Sequence, residues 1–294
     1  MGYKIHSNQE EQLLVQEYLA GAPVKTLMEK YGYKTKKSIT DKVKKYQSIE
    51  AIQIARENRK NYKITFDGIT NIFNAYFLGL MLTDGYIQNN NQFGIDLTDE
   101  DCIQFISKVT NKTYNSYTDN QHNKTRHRLI FSNSEVVKKL GEYGVVPNKS
   151  KILHALSLTT EEEIFLPYLI RGIIDGDGCI YKTSYGAPAF YICSASKDFI
   201  IWIKQTLENK MFFKELSLTC STEGLWRIDT ADQHNMFKLL ALIYDKPYGM
   251  SRKYVLLRKM FRDYNKDDLL LDKVDGIVQT TTEMDYESNC SKAI

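Results

Sequence analysis

Two nine-residue phrases, FLGLMLTDG at 77–85 and IRGIIDGDG at 170–178, stand 93 residues apart, and each closes an apolar run with Asp-Gly. Around them the chain repeats itself, and an internal repeat limits a fold more than any single motif does. The first copy reads as a helix over 71–85, strands at 86–88 and 92–97, a helix over 99–110, strands at 113–117 and 126–131, and a helix over 134–143. The second reads as a helix over 161–178, strands at 179–182 and 189–194, a helix over 197–209, strands at 216–220 and 225–229, and a helix over 231–244. A polar helix start follows the second strand in both, in LTDEDCIQFI and SASKDFIIWI. The expected fold class is therefore α+β, as tandem pseudo-twofold αββαββα repeats with two extended antiparallel sheets.

Within each phrase a glycine (Gly79, Gly172) falls mid-helix, where it costs about 1 kcal/mol relative to alanine. Close approach of two helix backbones is the reason to keep it. The closing Asp-Gly places a carboxylate, Asp84 or Asp177, in the last helical turn, with Gly85 and Gly178 expected to provide a left-handed exit. One Asp-Gly is ordinarily a turn; two at matching places in a repeat bring two carboxylates side by side. The helix dipole and a like charge both disfavour that arrangement, so it makes sense around divalent cations. Oxygen ligands without thiols or imidazoles favour Mg²⁺, with Mn²⁺ as the alternative.

The flanks differ from the repeats. Residues 1–48 read as three short helices, and the third is rich in lysine, as a helix-turn-helix that enters the major groove would be. Lys36, Lys37, Ser38 and Thr40 are its candidate DNA contacts; the plainer alternative is a helical bundle with a solvated lysine face. A basic linker with Arg56, Arg59, Lys60 and Lys63 is expected over 49–70, and an acidic, flexible tail over 264–294. The net charge of +3 hides this polarity, since residues 1–65 carry 13 Lys/Arg against 7 Asp/Glu and residues 264–294 carry 3 against 7. A basic arm fits a polyanion partner. Mean hydropathy is −0.40 and no apolar run reaches membrane-spanning length, so no membrane partner is expected. Five dispersed cysteines, with no apolar leader at the N-terminus, suggest reduced thiols in the cytoplasm.

The duplicated phrases resemble the motif for which the LAGLIDADG homing endonucleases are named, and the resemblance covers about residues 71–263. Copy one departs at Leu82 and Thr83, where the consensus has Asp-Ala, and Leu78 and Arg171 replace a small residue; Arg171 is expected to turn outward from the helix seam. The resemblance implies repeats over 71–153 and 154–263, with saddle-shaped sheets. It also implies a monomer that cuts both strands of a long asymmetric DNA site across the minor groove, leaving short 3′ overhangs. Asp84 and Asp177, with the adjoining Gly85 and Gly178, are then the metal-binding positions, and the two aspartates are catalytic. The phrases GVVPNKSKIL and KPYGMSRKYVLL close the two repeats and offer Lys149 and Lys253 as charge-stabilising bases, with Arg252 competing for the second place. Arg126, Arg128, Lys182, Tyr185 and Arg227 are expected to face DNA from the strands. The alternative is a non-cleaving binder on the same scaffold, either an intron RNA maturase or a transcription regulator. A strand-specific nickase would follow if copy one were inactive.

Overall fold

The computed structural model describes residues 7–58, 63–120 and 122–265. The acidic tail thus falls outside the described residues from 266 onward, as do Arg59 and Lys60 of the expected linker. The chain divides into two compact units, Met1–Lys63 and Ile64–Ile294.

The first unit is helical: α1 (Asn8–Leu19), α2 (Val24–Tyr31), α3 (Lys36–Tyr46) and α4 (Ile49–Asn58). Ser7 and Glu10 form a reciprocal capping box at the start of α1, Gly32 closes α2 in the left-handed region at φ 73, and Thr35 caps α3. Leu14, Val15, Tyr18, Leu27, Ile39 and Val43 form the core, and Ile52 and Ala55 of α4 complete it. The expected linker is therefore helical over its first ten residues. Farther on, Ile64, Phe66 and Ile69 are buried within the second unit, where the Phe66 ring lies 5.7 Å from that of Tyr143. Apolar residues at helical spacing, Ile52 and Ala55, overrode the polar composition.

The second unit holds the two repeats. The first is α5 (Ile72–Leu82), β1 (Gly85–Asn89), β2 (Gln92–Leu97), α6 (Glu100–Thr110), β3 (Asn115–Asp119), β4 (Lys124–Ser132) and α7 (Ser134–Glu142). The second is α8 (Thr160–Glu163), α9 (Leu166–Asp177), β5 (Gly178–Lys182), β6 (Pro188–Ser194), α10 (Lys197–Gln205), β7 (Ser217–Cys220), β8 (Trp226–Thr230), α11 (Gln233–Lys238) and finally α12 (Ser251–Asn265). Each repeat builds a four-stranded antiparallel sheet in the same order, β1-β2-β4-β3 and β5-β6-β8-β7. Strand alternation buries Phe93, Ile95, Leu129 and Phe131 on one face of the first sheet, leaving Asp96, Arg126 and Arg128 on the other. In the second sheet Phe190, Ile192 and Ile228 turn inward, and Tyr191, Cys193 and Arg227 turn outward. The helix expected over 161–178 is split, because Thr159 and Glu162 cap α8 and Pro167 then restarts the chain as α9. No helix among the described residues is long and apolar enough to cross a membrane.

Among the contacts that join the repeats, two hold the helix ends in place. The first is the packing of α5 on α9, where a Cβ on Gly172 would stand 2.2 Å from the Tyr76 carbonyl oxygen and one on Gly79 would stand 2.4 Å from that of Leu169. The second is a strap over 249–253 leading into α12, which buries Lys253, Leu257, Met260 and Phe261 at helical spacing. Gly249 takes φ +63, the Met250 amide donates to Tyr76 Oη at 3.1 Å, and the Ser251 amide donates to Asp101 Oδ2 at 2.7 Å. Arg252 then forks onto Asp99 at 2.6 and 3.0 Å.

The seam makes a sharp expectation. Gly172→Ala forces a methyl into backbone and is expected to lower unfolding free energy by about 2–3 kcal/mol in urea titrations. Gly141→Ala on α7, where an added Cβ meets nothing within 4 Å, is expected to be neutral or slightly stabilising.

Candidate active site

The glycine seam fixes where α5 and α9 end. One turn beyond the crossing, a Cβ on Gly176 would lie 2.0 Å from Thr83 Oγ1 and 3.1 Å from Asp84 Oδ2, so the helices remain in contact to their last residues. Asp84 and Asp177 therefore stand at the same end of the pair. Burial raises the Asp84 carboxyl pKa, and Lys253, Lys149 and Arg126 oppose the rise. Asp177 is pushed up to about 6, first by the protein packed around its carboxyl and then by the charge of Asp84. Part of the Asp177 residue is open to solvent at the mouth of the site, so its acidity reflects crowding of the carboxyl and not full enclosure.

Lys149 and Lys253 both reach this end of the helices. Lys149 Nζ donates to the carbonyls of Thr83 at 3.0 Å and Gly85 at 2.5 Å. Lys253 Nζ donates to those of Ile174, Asp175 and Gly178, each at 2.6 Å. Thr83, Ile174 and Asp175 lie in or just past the last helical turns and Gly85 and Gly178 open the strands that follow, so each ammonium answers the negative end of a helix dipole. Burial lowers both lysine pKa values, opposed at Lys149 by Asp177 and Asp84, and at Lys253 chiefly by Asp175. All three N–H donors of Lys253 are committed to carbonyls, so its charge acts through the field, while Lys149 retains one donor. Arg252, the competing base, belongs to the Asp99 fork described above.

Gly85 and Gly178 correct one expectation. Neither takes positive φ, and Gly178 begins its strand at φ −89, ψ 154. Glycine is needed there for space: a Cβ on Gly85 would lie 2.5 Å from Met81 Cα, and one on Gly178 2.6 Å from the Ile174 carbonyl oxygen. Their own carbonyls, at the expected metal positions, carry the lysine ammonium groups.

Arg171 corrects another. It is fully buried, donating through Nη1 to the carbonyls of Ile243 at 3.3 Å and Lys246 at 2.7 Å, with its guanidinium 4.6 Å from the Tyr244 ring centre. Its Nε lies 3.9 Å from Asp175 Oδ2. Asp175 accepts from Tyr76 Oη at 2.8 Å and Tyr244 Oη at 2.6 Å, and burial raises its pKa against the pull of Arg171. Nη1 is thus paired with carbonyls, while Nε and Nη2 are buried with no hydrogen-bond partner among the described residues and rest on the Asp175 charge and the Tyr244 ring.

The sheet residues expected to meet DNA are partly committed to protein partners. Arg126 and Arg128 converge on Asp96, with Nε distances of 2.9 and 2.8 Å to its two oxygens. Burial would raise the Asp96 pKa, but hydrogen bonds from Tyr117, Arg128 and Arg126 hold it below the usual range. Arg227 lies over the Tyr191 ring at 4.1 Å and 3.2 Å from Asp229. Lys182 pairs with Asp263 of α12 at 2.8 Å, and Tyr185 is 93% exposed. A cleft of about 180 Å³ runs along Asp84, Asp96, Asp99, Arg126 and Arg252. Asp96, Asp99 and Tyr76 were not singled out from sequence, because their partners lie on other strands and helices; only the N-cap place of Asp99 was visible.

In the N-terminal unit Lys36 and Lys37 are exposed at the start of α3. The Ser38 hydroxyl is 2.8 Å from that of Thr35, and Thr40 Oγ1 donates to the Lys36 carbonyl at 3.1 Å, so both serve the helix itself. Lys42 and Lys45 fold back on Glu11, whose pKa falls to about 2, with the Lys42 hydrogen bond the largest cause.

No protein-family model and no curated protein matches this chain. Its neighbours among solved structures are LAGLIDADG homing endonucleases and the LAGLIDADG domain of WhiA. The N-terminal LAGLIDADG domain of WhiA is 9% identical with a TM-score of 0.42, over 62% of this chain and 86% of that chain. The LAGLIDADG meganuclease I-AabMI bound to uncleaved DNA is 14% identical with a TM-score of 0.43, over 71% and 96%. The homing endonuclease I-GzeII in complex with its DNA target is 13% identical with a TM-score of 0.44, over 72% and 98%.

The raised pKa of Asp177 has a stability consequence. Between the ordinary carboxylate range and about pH 6 the folded chain binds more protons than the unfolded one, so stability falls as pH rises through that window. Asp177→Asn is expected to raise Tm above wild type at about pH 7.5 in chelator, and the gain is expected to vanish near pH 4 in calorimetry. An unchanged Tm at the higher pH would contradict the crowded-carboxylate reading.

Proposed function

We propose that the chain is a site-specific DNA endonuclease of the LAGLIDADG type that hydrolyses both strands across the minor groove and leaves short 3′ overhangs. The observation that supports this reading is the pair Asp84 and Asp177, held at one end of two glycine-crossed helices where their charges oppose each other. A fold would keep such a destabilising pair for what binds to it.

The donor set fits a hard divalent cation, Mg²⁺ or Mn²⁺. Two carboxylates converge, and among the described residues no cluster of three or more His, Cys, Asp and Glu side chains offers a complete protein cage. Mg²⁺ is commonly held by one or two carboxylates, with substrate phosphate and water filling the remaining places. Asp84 and Asp177 would hold the ion; when bound it would polarise the scissile phosphate and lower the pKa of a water. The protein's own residues do the rest. The glycine seam sets the carboxylates, and Lys149 and Lys253 hold the helix ends and supply positive field where charge builds during hydrolysis.

Recognition is assigned to the outward sheet faces and to the N-terminal unit, where the exposed Lys36 and Lys37 would contact phosphates. A long asymmetric duplex read by one monomer follows from two unlike repeats in one chain. A non-cleaving binder on the same scaffold, of duplex DNA or of intron RNA, is the competing outcome.

Incubating wild type, Asp84→Asn and Asp177→Asn with Mg²⁺ or Mn²⁺ and duplex DNA from the gene's own neighbourhood, then sequencing the ends, tests this reading. Double-strand breaks at one long site, lost in both variants, are expected. Tight binding to duplex or intron RNA with no cut would assign the chain to regulation or RNA folding. For the N-terminal unit, Lys36→Ala with Lys37→Ala is expected to reduce the slope of log affinity against log salt by about 0.9 for each phosphate no longer neutralised.

A further inference from the structure

The outward faces of the two sheets are not chemical copies of each other. Gly85↔Ile95 and Gly178↔Ile192 bring their registers into correspondence, so that Asp96↔Arg128 in the first sheet matches Cys193↔Arg227 in the second. Two residues earlier on β4 and ahead of β8, Arg126 matches Leu225. Where the first sheet has Asp96, Arg126 and the Tyr117 hydroxyl, the second has a cavity of about 320 Å³ bordered by Cys193, Ser221, Leu225 and Arg227.

The first sheet's cluster is closed on itself. Arg126 donates Nε to Asp96 Oδ1 and Nη2 to the Asp96 carbonyl, both at 2.9 Å. Arg128 donates Nε to Asp96 Oδ2 at 2.8 Å and Nη2 to Tyr117 Oη at 2.7 Å, and Tyr117 returns its proton to Asp96 Oδ2 at 2.6 Å. The Arg128 guanidinium also lies 4.6 Å from the Tyr117 ring centre. Asp96 is almost wholly covered, while the arginine side chains remain 34% and 39% exposed. In both arginines Nε and one hydrogen of Nη2 are spent on the protein, leaving the edge formed by Nη1 and the second Nη2 hydrogen without a protein hydrogen bond among the described residues. That edge matches the O6/N7 pair of guanine, and a guanidinium already fixed loses little freedom when it binds.

We propose that Asp96 is a specificity-determining residue, positioning Arg126 and Arg128 to read guanines in the half-site that faces the first sheet. The second sheet lacks a carboxylate shared by two arginines: Arg227 rests on Tyr191 and lies 3.2 Å from Asp229 alone, and its neighbour at the Asp96 position is a thiol. The proposal rests on the DNA-binding reading above, and gives Asp96 a positioning role in recognition.

The test uses the full chain with Ca²⁺ replacing Mg²⁺, so that DNA stays uncut, and a randomised duplex pool whose bound fraction is sequenced. Wild type, Asp96→Ala and Asp96→Cys are compared, the last placing in the first sheet the residue that the second already carries. Wild type is expected to enrich guanine at two places in one half-site. Both variants are expected to lose that preference about tenfold to a hundredfold, the discrimination that a bidentate arginine contact gives, and to keep the preferences of the other half-site. Guanine preference retained in the variants, or tighter binding to every sequence with preferences unchanged, would overturn the proposal and leave Asp96 as a charge neutraliser. Preferences lost across both half-sites in both variants would overturn it too. A wild type that binds no duplex would instead overturn the nuclease reading and take this inference with it.

Discussion

Backbone contact between α5 and α9 is the constraint on which the rest of the second unit depends. With no side chain at Gly79 or Gly172 the helices meet carbonyl to Cα, and the meeting continues one turn farther through Thr83 and Gly176. Everything of chemical interest at their C-terminal end follows from that proximity. Asp84 raises the pKa of Asp177, and two lysines from distant segments find carbonyls at neighbouring helix ends. A wider crossing would separate the carboxylates, relieve their repulsion and remove the reason for either lysine to be buried.

The two halves are alike in topology and unlike in their interiors. At the helix position where copy one has Leu82, copy two has Asp175, and where copy one has Leu78, copy two has Arg171. Neither charge could be buried alone; together, with Tyr76, Tyr244 and two carbonyls, they form a compensated cluster. Such clusters add little net stability compared with apolar packing, but they tolerate only one arrangement of their neighbours. Because Tyr76 belongs to copy one and Asp175 to copy two, this cluster fixes the register of one repeat on the other.

Much of this was legible because period and punctuation agree. The strand alternation of FGIDL and the capped start of SASKDFIIWI carry their own geometry, and the repeat doubled every signal. The helix seam was legible from Gly79 and Gly172, since a mid-helix glycine needs a reason. Illegible were contacts whose partners are far apart in sequence. Nothing in the local environment of Asp96 announces two arginines thirty residues on, and nothing about Arg171 announces a pocket of carbonyls near residue 245. Gly85 and Gly178 show a subtler limit: Asp-Gly after a helix suggests a left-handed exit, but the tight turn straight into a strand uses the missing side chain and not the unusual φ. The linker expectation failed because composition was read over Arg56, Arg59 and Lys60, while Ile52 and Ala55 decided the structure.

The strap over 249–253 also sets an order of assembly. Chains emerge from the ribosome N-terminus first and fold as they lengthen. The carbonyls at the end of α9 wait for Lys253, and the carboxylates of Asp99 and Asp101 in the first repeat wait for Arg252 and Ser251. Until that stretch arrives the sheets of both repeats exist, but the helix end bearing Asp177 lacks Lys253 and the cleft beside Asp84 lacks Met250 and Arg252. On the function proposed above, the cutting centre thus stays unfinished, and the encoding genome safe from it, until the start of α12 has been made.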